Sequence, residues 1–279
     1  MKDITAVGID TAKTTFYVVG FSITGHVVGR KKFSRQSLKK WLVNQVPLTV
    51  YMEACGGSHE WGRLLTAMGH TVRLIAPHFV SPFRQGDKND WNDALAIGIA
   101  GTQPTLRFVA IKSVDQQTIQ SLHRVRSRLQ RDRVAVANQL RGLLAEFDVV
   151  LPRSIAALRK RVPEILDSDK FIGVQAELFQ GLLEELKQRD DQVKQYTKWI
   201  EQLAKADPVA VSLMKLNGVG VLTASALSAE VADARVFRNG RQLSAYLGLV
   251  PRQFSTGGKN RLGSITKRGD RYLRQLLVH

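Results

Sequence analysis

Short apolar runs alternate with polar stretches over the first hundred residues, whereas later apolar residues follow helical spacing. Amphipathic helices are predicted near residues 36–44 and 59–68. Turn residues at Gly20 and 22–25 place the first three runs in an antiparallel meander, after which strands and helices alternate. The pattern predicts an α/β fold with a partly parallel sheet. The predicted strands are residues 5–10, 15–21, 26–33, 48–53 and 71–76, with a short closing run at 107–111.

This strand order has a known counterpart. Three antiparallel strands followed by strand–helix–strand crossovers match the order of a ribonuclease H-like sheet. We therefore predict a ribonuclease H-like domain over residues 1–112.

A seven-residue repeat of apolar positions marks the middle of the chain, residues 113–206. Leu122, Leu129, Val136 and Leu143 recur at this spacing within residues 114–147, which predicts a long amphipathic helix. Pairing as a coiled coil and an ordinary helical hairpin both fit the pattern, within one chain or between chains. A second repeat is interrupted by Arg189, which occupies a seam position, that is, one where a partner helix would pack. Its apolar residues are Leu182, Leu186, Val193, Tyr196, Ile200 and Leu203.

The remaining segment, residues 207–279, is predicted to be a mostly helical C-terminal domain. It opens with Asp207-Pro208, and residues 217–220 form a glycine turn between two apolar helices. Such a turn is typical of a helix-hairpin-helix, in which Gly218 and Gly220 allow backbone N–H groups to approach a phosphate. A glycine turn that serves packing alone is the simpler alternative.

Charge narrows the choice of partners. Lys and Arg number 41 against 24 Asp and Glu, a net charge of +17 that favours nucleic acid. No run of 18 apolar residues and no signal peptide are present, so we expect no membrane partner and a cytoplasmic location. The lone Cys55 forms no intrachain disulfide. The predicted nucleic-acid-binding residues are Gly218, Gly220, Arg124, Arg126, Arg128, Arg131, Arg133, Arg252, Lys259, Arg261, Lys267, Arg268, Arg271 and Arg274.

Four acidic residues stand out in so basic a chain. Asp10 and Glu53 close two strands that are neighbours in a ribonuclease H-like sheet, so both carboxylates are expected at one edge. Asp90 and Asp93 share one face at the start of a helix. Converging acids repel unless cations lie between them, so we predict a site for two Mg²⁺ ions, with Mn²⁺ as a substitute.

Each of these residues also has a simpler explanation. Asp90 and Asp93 suit a helix N-terminus without any metal. His59 is expected to pack at a helix start, and Cys55 to fill a small buried space, because no base is positioned beside it. The order of the four acids on the predicted scaffold is more specific than any one of them.

Several segments together resemble the DEDD transposases of insertion sequences, the IS110 family and its IS1111-like branch. The resemblance covers essentially the whole chain. It implies a RuvC-like domain, a coiled-coil insertion and a C-terminal transposase domain that supplies a serine nucleophile. The segments that carry it are residues 7–13, 52–57, 88–94, 247–253, 255–259 and 267–274.

The resemblance also implies a mechanism and partners. Asp10, Glu53, Asp90 and Asp93 would be the metal ligands, and a serine would join covalently to a DNA 5′-phosphate. The implied partners are DNA, a noncoding guide RNA encoded by the element, and further copies of the chain as a dimer or tetramer. More than one protomer is expected because two DNA strands must be cut and held.

The sequence departs from the family pattern in two places. Thr256 stands immediately before the glycine where the family has serine, and Ser255 comes one residue earlier. We keep both as candidate nucleophiles and favour Ser255, because its hydroxyl is unbranched. Relatives also continue past residues 276–279, so the chain is expected to stop inside its last domain.

Other functional classes remain as alternatives. A RuvC-type junction resolvase or nuclease would use the same acids with water as nucleophile. A decayed transposase would bind DNA without cutting it. An actin-like kinase or ATPase shares the first strands but needs a second phosphate loop, where residues 111–206 offer heptads instead.

Overall fold

The computed structural model describes residues 3–87, 89–168 and 170–278. The chain divides into two compact units, residues 1–113 and 114–279. The separate division predicted at residue 206 stays a prediction.

The first unit is built on a six-stranded mixed sheet with the strand order β3-β2-β1-β4-β5-β6. β1 pairs antiparallel with β2 and parallel with β4, as the predicted meander and crossover require. Each of the five main strands lies within one residue of its predicted bounds, and the closing run forms a short antiparallel strand. The strands are β1 (Ala6–Thr11), β2 (Thr15–Phe21), β3 (Val27–Ser34), β4 (Thr49–Glu53), β5 (Thr71–Ile75) and β6 (Phe108–Val109).

Helices cover both faces of this sheet, so the α/β architecture fits the predicted RuvC-like domain. Buried Leu38 of the first helix and Leu65 of the second share a core with Val7 and Ile9 of β1. On the opposite face, Ala94 of the fourth helix packs with β2. The helices are α1 (Arg35–Val43), α2 (Ser58–Ala67), α3 (Pro77–Val80) and α4 (Asp90–Gly101), with a 3₁₀ turn at Ser81–Phe83.

Small residues let α4 lie directly on the sheet. A Cβ atom on Gly8 of β1 would come within 2.6 Å of the Gly98 backbone nitrogen, and one on Gly98 would enter the ring of Phe21. Trp91 packs its ring edge-to-face on Tyr17 of β2, with 4.8 Å between centroids. These contacts hold the start of α4 against β1 and β2.

The second unit is mainly helical. Its two longest helices pack against each other. Together with the shorter helix that lies between them in the sequence, they enclose a core that includes Leu140, Leu158 and Phe179. The helices are α5 (Val114–Ala145), α6 (Ile155–Leu166), α7 (Val174–Ala206), α8 (Pro208–Leu213), α9 (Val221–Val231), α10 (Gly240–Tyr246) and α11 (Arg271–Val278); a two-stranded sheet comprises β7 (Pro251–Gln253) and β8 (Leu262–Ile265).

The seam between α5 and α7 contains polar residues that the heptad pattern did not predict. Asp190 of α7 is buried and forms ion pairs with Arg133 of α5, at 2.5 Å, and with Arg159 of α6. The predicted seam residue Arg189 is instead half-buried and pairs with Glu185 on its own helix. The predicted seam was therefore displaced by one residue at this point.

A buried histidine joins α5 to the C-terminal helices. The imidazole of His123 lies 2.9 Å from the Ser225 hydroxyl on α9 and 3.0 Å from the Tyr272 hydroxyl on α11. Because Ser225 donates its own proton to the Val221 carbonyl, Nε2 of His123 donates to Ser225 and Nδ1 accepts from Tyr272. Burial, with the nearby Arg126 charge, lowers the pKa of His123 to about 4, so the ring is neutral near pH 7.

Across the described ranges 3–87, 89–168 and 170–278, no helix combines the length and apolar character needed to cross a lipid bilayer.

Candidate active site

Asp10 and Glu53 lie on the face of the sheet that α4 covers. Side chains alternate along a strand, so Asp10 shares the face of Gly8, the residue that touches α4. Glu53 likewise shares the face of Tyr51, which packs with the α4 core. The parallel ladder runs as far as Ile9 opposite Met52, so the next residues, Asp10 and Glu53, are neighbours at one sheet edge.

The second pair of acids lies in the first turn of α4. Asn89 is the N-cap, since its side chain accepts the Asn92 backbone N–H at 2.9 Å. Asp90 and Asp93 are therefore not the caps, but both lie in the first turn, where acids also complement the helix dipole. Asp93 is instead paired with Arg84, at 2.5 Å between Nε and Oδ1. Sequence patterns did not indicate this arginine, because it precedes the helix in an irregular segment.

The negative charges of the other three acids act on Asp10. The pKa of Asp10 is raised from 3.8 to about 6, first by burial and then by the negative charges of Asp93, Asp90 and Glu53. Asp10 is thus the residue on which the other three acids act. The joint metal site of all four acids stays a prediction.

The arrangement has the donor chemistry of a hard divalent cation, since carboxylate oxygens are the ligands that Mg²⁺ and Mn²⁺ prefer. Within the part of the chain that the structure describes, no three His, Cys, Asp or Glu groups form a ready metal-binding set. The ion pair with Arg84 occupies one oxygen of the Asp93 carboxylate. The residue types fit a metal, but their side chains must draw together to hold one.

Two neighbouring residues have structural roles. The Cys55 thiol lies 3.0 Å from the Thr11 hydroxyl, and burial raises the pKa of Cys55, so the thiol stays protonated. Nδ1 of His59 accepts the backbone N–H of Lys112 at 3.1 Å. These contacts agree with the packing roles expected for both residues.

The candidate nucleophiles lie at the tip of the hairpin formed by β7 and β8. Ser255 accepts a hydrogen bond from Gln253 at 2.8 Å and donates one to Asn260 at 3.1 Å. Thr256 precedes a two-glycine turn in which Gly257 and Gly258 have φ of 55° and 77°. Such left-handed angles favour glycine, and the turn closes with a Thr256–Lys259 bridge.

The C-terminal cations are of two kinds. Arg274 is half-buried, and its Nη1 donates to the backbone carbonyl oxygens of Leu247, Arg268 and Gly269, so it has a structural role beside the predicted contact with nucleic acid. The others have exposed side chains and stay candidates for phosphate contact: Arg252, Lys259, Arg261, Lys267, Arg268 and Arg271.

The arginines of α5 also divide into two groups. Arg126 is 9% exposed and donates to the Thr197 hydroxyl at 2.7 Å, while Arg133 pairs with Asp190. Arg126 is thus buried against α7, while the Arg133 side chain keeps 28% exposure, and the predicted phosphate contacts of both residues stay untested. Arg124, Arg128 and Arg131 are exposed and remain predicted contacts, although Arg128 also pairs with Asp132.

The predicted glycine turn joins α8 to α9. Gly218 has φ of 83°, which requires the left-handed region, and Gly220 is the N-cap of α9 without a capping side chain. Its role in phosphate binding stays a prediction, as does the helix-hairpin-helix assignment.

Known sequence families match both parts of the chain. Residues 7–148 match the IS110-type DEDD family described as "Transposase". Residues 210–279 match "Transposase IS116/IS110/IS902 family".

Individual relatives align over almost the whole chain. Over 99% of its length the chain is 44% identical to "Probable family 20 transposase" of Pseudomonas aeruginosa, covering 83% of that protein. Over its full length it is 37% identical to "Transposase for insertion sequence element IS1328" of Yersinia enterocolitica, covering 83% of it. It is 38% identical, also over its full length, to "Transposase for insertion sequence element IS1111A" of Coxiella burnetii, covering 77%. The chain therefore belongs to the IS110/IS116/IS902 family of insertion-sequence transposases.

Proposed function

We propose that this transposase cuts and rejoins DNA by metal-assisted phosphoryl transfer at the four-carboxylate cluster. The observation that supports the proposal is that Asp10 lies beside Glu53 at one sheet edge, and that burial and the charges of Asp93, Asp90 and Glu53 raise its pKa. Carboxylates gathered at the end of adjacent strands suit phosphodiester chemistry, which needs cations at the reacting oxygens. The net charge of +17 suits a polyanionic substrate.

Asp10, Glu53, Asp90 and Asp93 are the proposed ligands of two Mg²⁺ ions, for which Mn²⁺ can substitute. When bound, these ions neutralise charge on the phosphate and activate the attacking hydroxyl. Oδ1 of Asp93 is paired with Arg84, so Asp93 would ligate a metal through Oδ2 or after turning away from the guanidinium. We favour the second arrangement, because the released guanidinium could pair with a phosphate oxygen.

We favour Ser255 as the nucleophile and keep Thr256 as the alternative. In the proposed step the Ser255 oxygen bonds to phosphorus, the bond to the 3′ oxygen breaks, and the hydroxyl proton is lost while the leaving 3′ oxygen gains one. The hydrogen bond from Gln253 to Ser255 supports this choice, because it holds the oxygen in one orientation. Since one phosphoester replaces another, no ATP is required.

Trapping of the covalent protein–DNA adduct tests the function and the choice of residue. Wild-type protein in Mg²⁺ is expected to form an adduct with DNA carrying the element ends and its guide RNA, as is Thr256→Ala. Ser255→Ala should form none. Adduct loss in Thr256→Ala alone would assign the reaction to Thr256, whereas cleavage without any adduct would favour the resolvase alternative with water as nucleophile.

We further propose that a noncoding RNA guides the reaction and that the working form is a dimer or tetramer. Exposed cations in both units suit RNA as well as DNA, and base pairing would supply a specificity that phosphate contacts lack. Nucleic acid that copurifies with the full chain should contain one discrete short RNA. A random mixture of cellular RNA would instead indicate electrostatic binding alone.

The remaining alternatives differ in what they leave unexplained. A noncatalytic DNA-binding remnant gives no role to the converging acids. The actin-like kinase is set aside, because residues 114–206 form long helices where such a fold needs nucleotide-binding loops.

A further inference from the structure

One stretch of the first unit is free of acidic residues. Between Asp10 and Glu53, residues 11–52 contain seven Lys and Arg residues and no Asp or Glu. The stretch forms β2, β3, α1 and the turn that follows β1. It therefore makes the side of the sheet next to the carboxylate cluster strongly positive. The cations are Lys13, Arg30, Lys31, Lys32, Arg35, Lys39 and Lys40, all with exposed side chains.

Strand register connects this positive side to the carboxylate cluster. Tyr17 of β2 lies opposite Asp10 of β1 and also opposite Lys32 of β3, so the three residues form one row across the sheet. Paired residues point to the same face, which here is the face that α4 covers. Neighbouring strands lie about 4.8 Å apart, which places the backbone of Lys32 about 10 Å from that of Asp10. This separation is about one Debye length at 0.1 M salt, so a polyanion at the cluster senses the Lys32 charge.

Aromatic packing holds Lys32 in this row. Its ammonium group lies 5.4 Å from the centroid of the Tyr17 ring, and that ring is held in turn by Trp91, beside Asp90. Arg30 belongs to the same face two residues earlier on β3. Lys13 lies in the turn that follows β1, close to the end that bears Asp10.

The three cations are exposed, and Lys32 contacts the Tyr17 ring through its ammonium group. Among the described residues, none of Lys13, Arg30 and Lys32 belongs to an ion pair. The exposed, unpaired charges beside four carboxylates offset the repulsion that the acids exert on a phosphate backbone. Cationic positions of this kind determine where a polyanion lies on the surface.

We propose that Lys13, Arg30 and Lys32 bind phosphates of double-stranded DNA next to the phosphodiester cut at the carboxylate cluster. The proposal rests on the function proposed above, because the cluster defines where the DNA passes. A duplex suits this surface better than a single strand, whose bases stack on free aromatic rings. Tyr17 is engaged by Lys32 and Trp91, so its ring is not free for stacking.

Duplex binding measured over a range of KCl concentrations tests the proposal. The full chain is titrated into a short fluorescein-labelled DNA duplex in EDTA, and the affinity is followed by fluorescence anisotropy. The slope of log K against log salt is negative, and each lost phosphate contact reduces its magnitude by about 0.9. The Lys13→Gln, Arg30→Gln, Lys32→Gln triple variant should therefore show a slope shallower by about 2–3 and weaker binding at low salt.

A matched variant separates local contacts from net charge. Lys187→Gln, Lys198→Gln and Lys205→Gln remove the same charge from exposed positions of α7 and should leave the slope unchanged. The proposal would be overturned if both triple variants showed the same reduction in the magnitude of the slope, or if the first variant showed none. If circular dichroism shows that the first triple variant is misfolded, Lys32→Gln alone must reduce the magnitude of the slope by about 0.9.

Further outcomes separate this proposal from the proposed function. Repeating the titration with an RNA duplex tests the partner: loss of RNA binding with unchanged DNA binding would overturn the assignment to DNA. Wild-type protein that binds no DNA would contradict the proposed function itself. Wild-type binding that the first triple variant retains in full would contradict only the role of these three cations.

Discussion

At the scale of single residues, Asp10 is the most informative side chain. Burial and the charges of Glu53, Asp90 and Asp93 disfavour its ionised form, which raises its pKa to about 6. Such an arrangement opposes folding unless a cation or a proton compensates it, so a role outside stability explains it better. The neighbouring Arg84 offsets part of this charge by pairing with Asp93.

Asp10→Asn should abolish DNA cleavage in Mg²⁺ and leave salt-sensitive DNA binding close to wild type. The amide is nearly isosteric but carries no charge for a metal, whereas phosphate contacts come from cations elsewhere. Cleavage gels and anisotropy titrations measure the two effects. Asp191→Asn, which changes an exposed acid on α7, is the control and should cleave normally. Cleavage by Asp10→Asn at the wild-type rate would remove the cluster from the mechanism.

The buried imidazole of His123 predicts a dependence of stability on pH. Its pKa is about 4 in the folded protein and near 6.5 when unfolded, so the unfolded state binds a proton first as pH falls. The contribution of His123 to the free energy of unfolding is fully present above about pH 6.5. It is lost as the pH falls towards 4, and the total loss is about 3 kcal/mol at most.

Thermal unfolding at a series of pH values checks this expectation. His123→Gln should be less stable than wild type at pH 7 and should lose less stability between pH 6.5 and 4. His26→Gln, at an exposed position, should keep the wild-type pH dependence. Equal pH dependence in wild type and His123→Gln would show that the imidazole is not buried in the neutral form.

At the scale of elements, the packing of α4 on the sheet determines whether the acids meet. Gly8 and Gly98 remove the side chains that would separate α4 from β1 and β2. Asp10 follows Gly8 on the same face, and Asp90 and Asp93 lie in the first turn of the helix. A shift of the helix away from the sheet would therefore separate the two pairs of acids.

Gly8→Ala should destabilise the protein by about 1–3 kcal/mol or more and reduce cleavage strongly. The added methyl would come within 2.6 Å of the Gly98 nitrogen, where backbone cannot yield as a flexible side chain does. Chemical denaturation and cleavage assays measure both effects. Gly142→Ala on α5, where no atom lies within 4 Å of the new methyl, should instead gain about 1 kcal/mol. A Gly8→Ala protein with normal stability and cleavage would contradict the packing described here.

Elements were more predictable than the contacts between them. The strands β1 to β5 and the start of α5 followed from periodicity, because local burial patterns reflect the faces of strands and helices. The seam of α5 and α7 was less predictable: a heptad pattern assumes apolar seam residues, and Asp190 is buried there because Arg133 and Arg159 compensate its charge.

In the candidate site, too, positions along the chain were more predictable than side-chain contacts. Four acids were identified from their positions at element ends, since the topology brings those ends together. The partners Arg84, Gln253 and Asn260 were missed, because ion pairs and hydrogen bonds across irregular segments leave no periodic signal. Arg274 was assigned to nucleic acid from charge alone, whereas it holds three backbone carbonyl oxygens.

At the scale of the whole molecule, the chain combines a strong positive net charge with four acids at element ends of the first unit. The net charge of +17 attracts polyanions to any exposed cationic surface, but it does not choose where a strand is cut. The carboxylate cluster supplies that choice in the proposed mechanism. Family membership as an insertion-sequence transposase agrees with this division of roles.

The most direct test is anomalous diffraction from crystals of the full chain grown with Mn²⁺. We predict strong anomalous peaks between the carboxyl oxygens of Asp10, Glu53, Asp90 and Asp93, with Asp93 turned away from Arg84. Peaks that lie elsewhere, or none at saturating Mn²⁺ with Asp93 still paired to Arg84, would contradict a shared metal site.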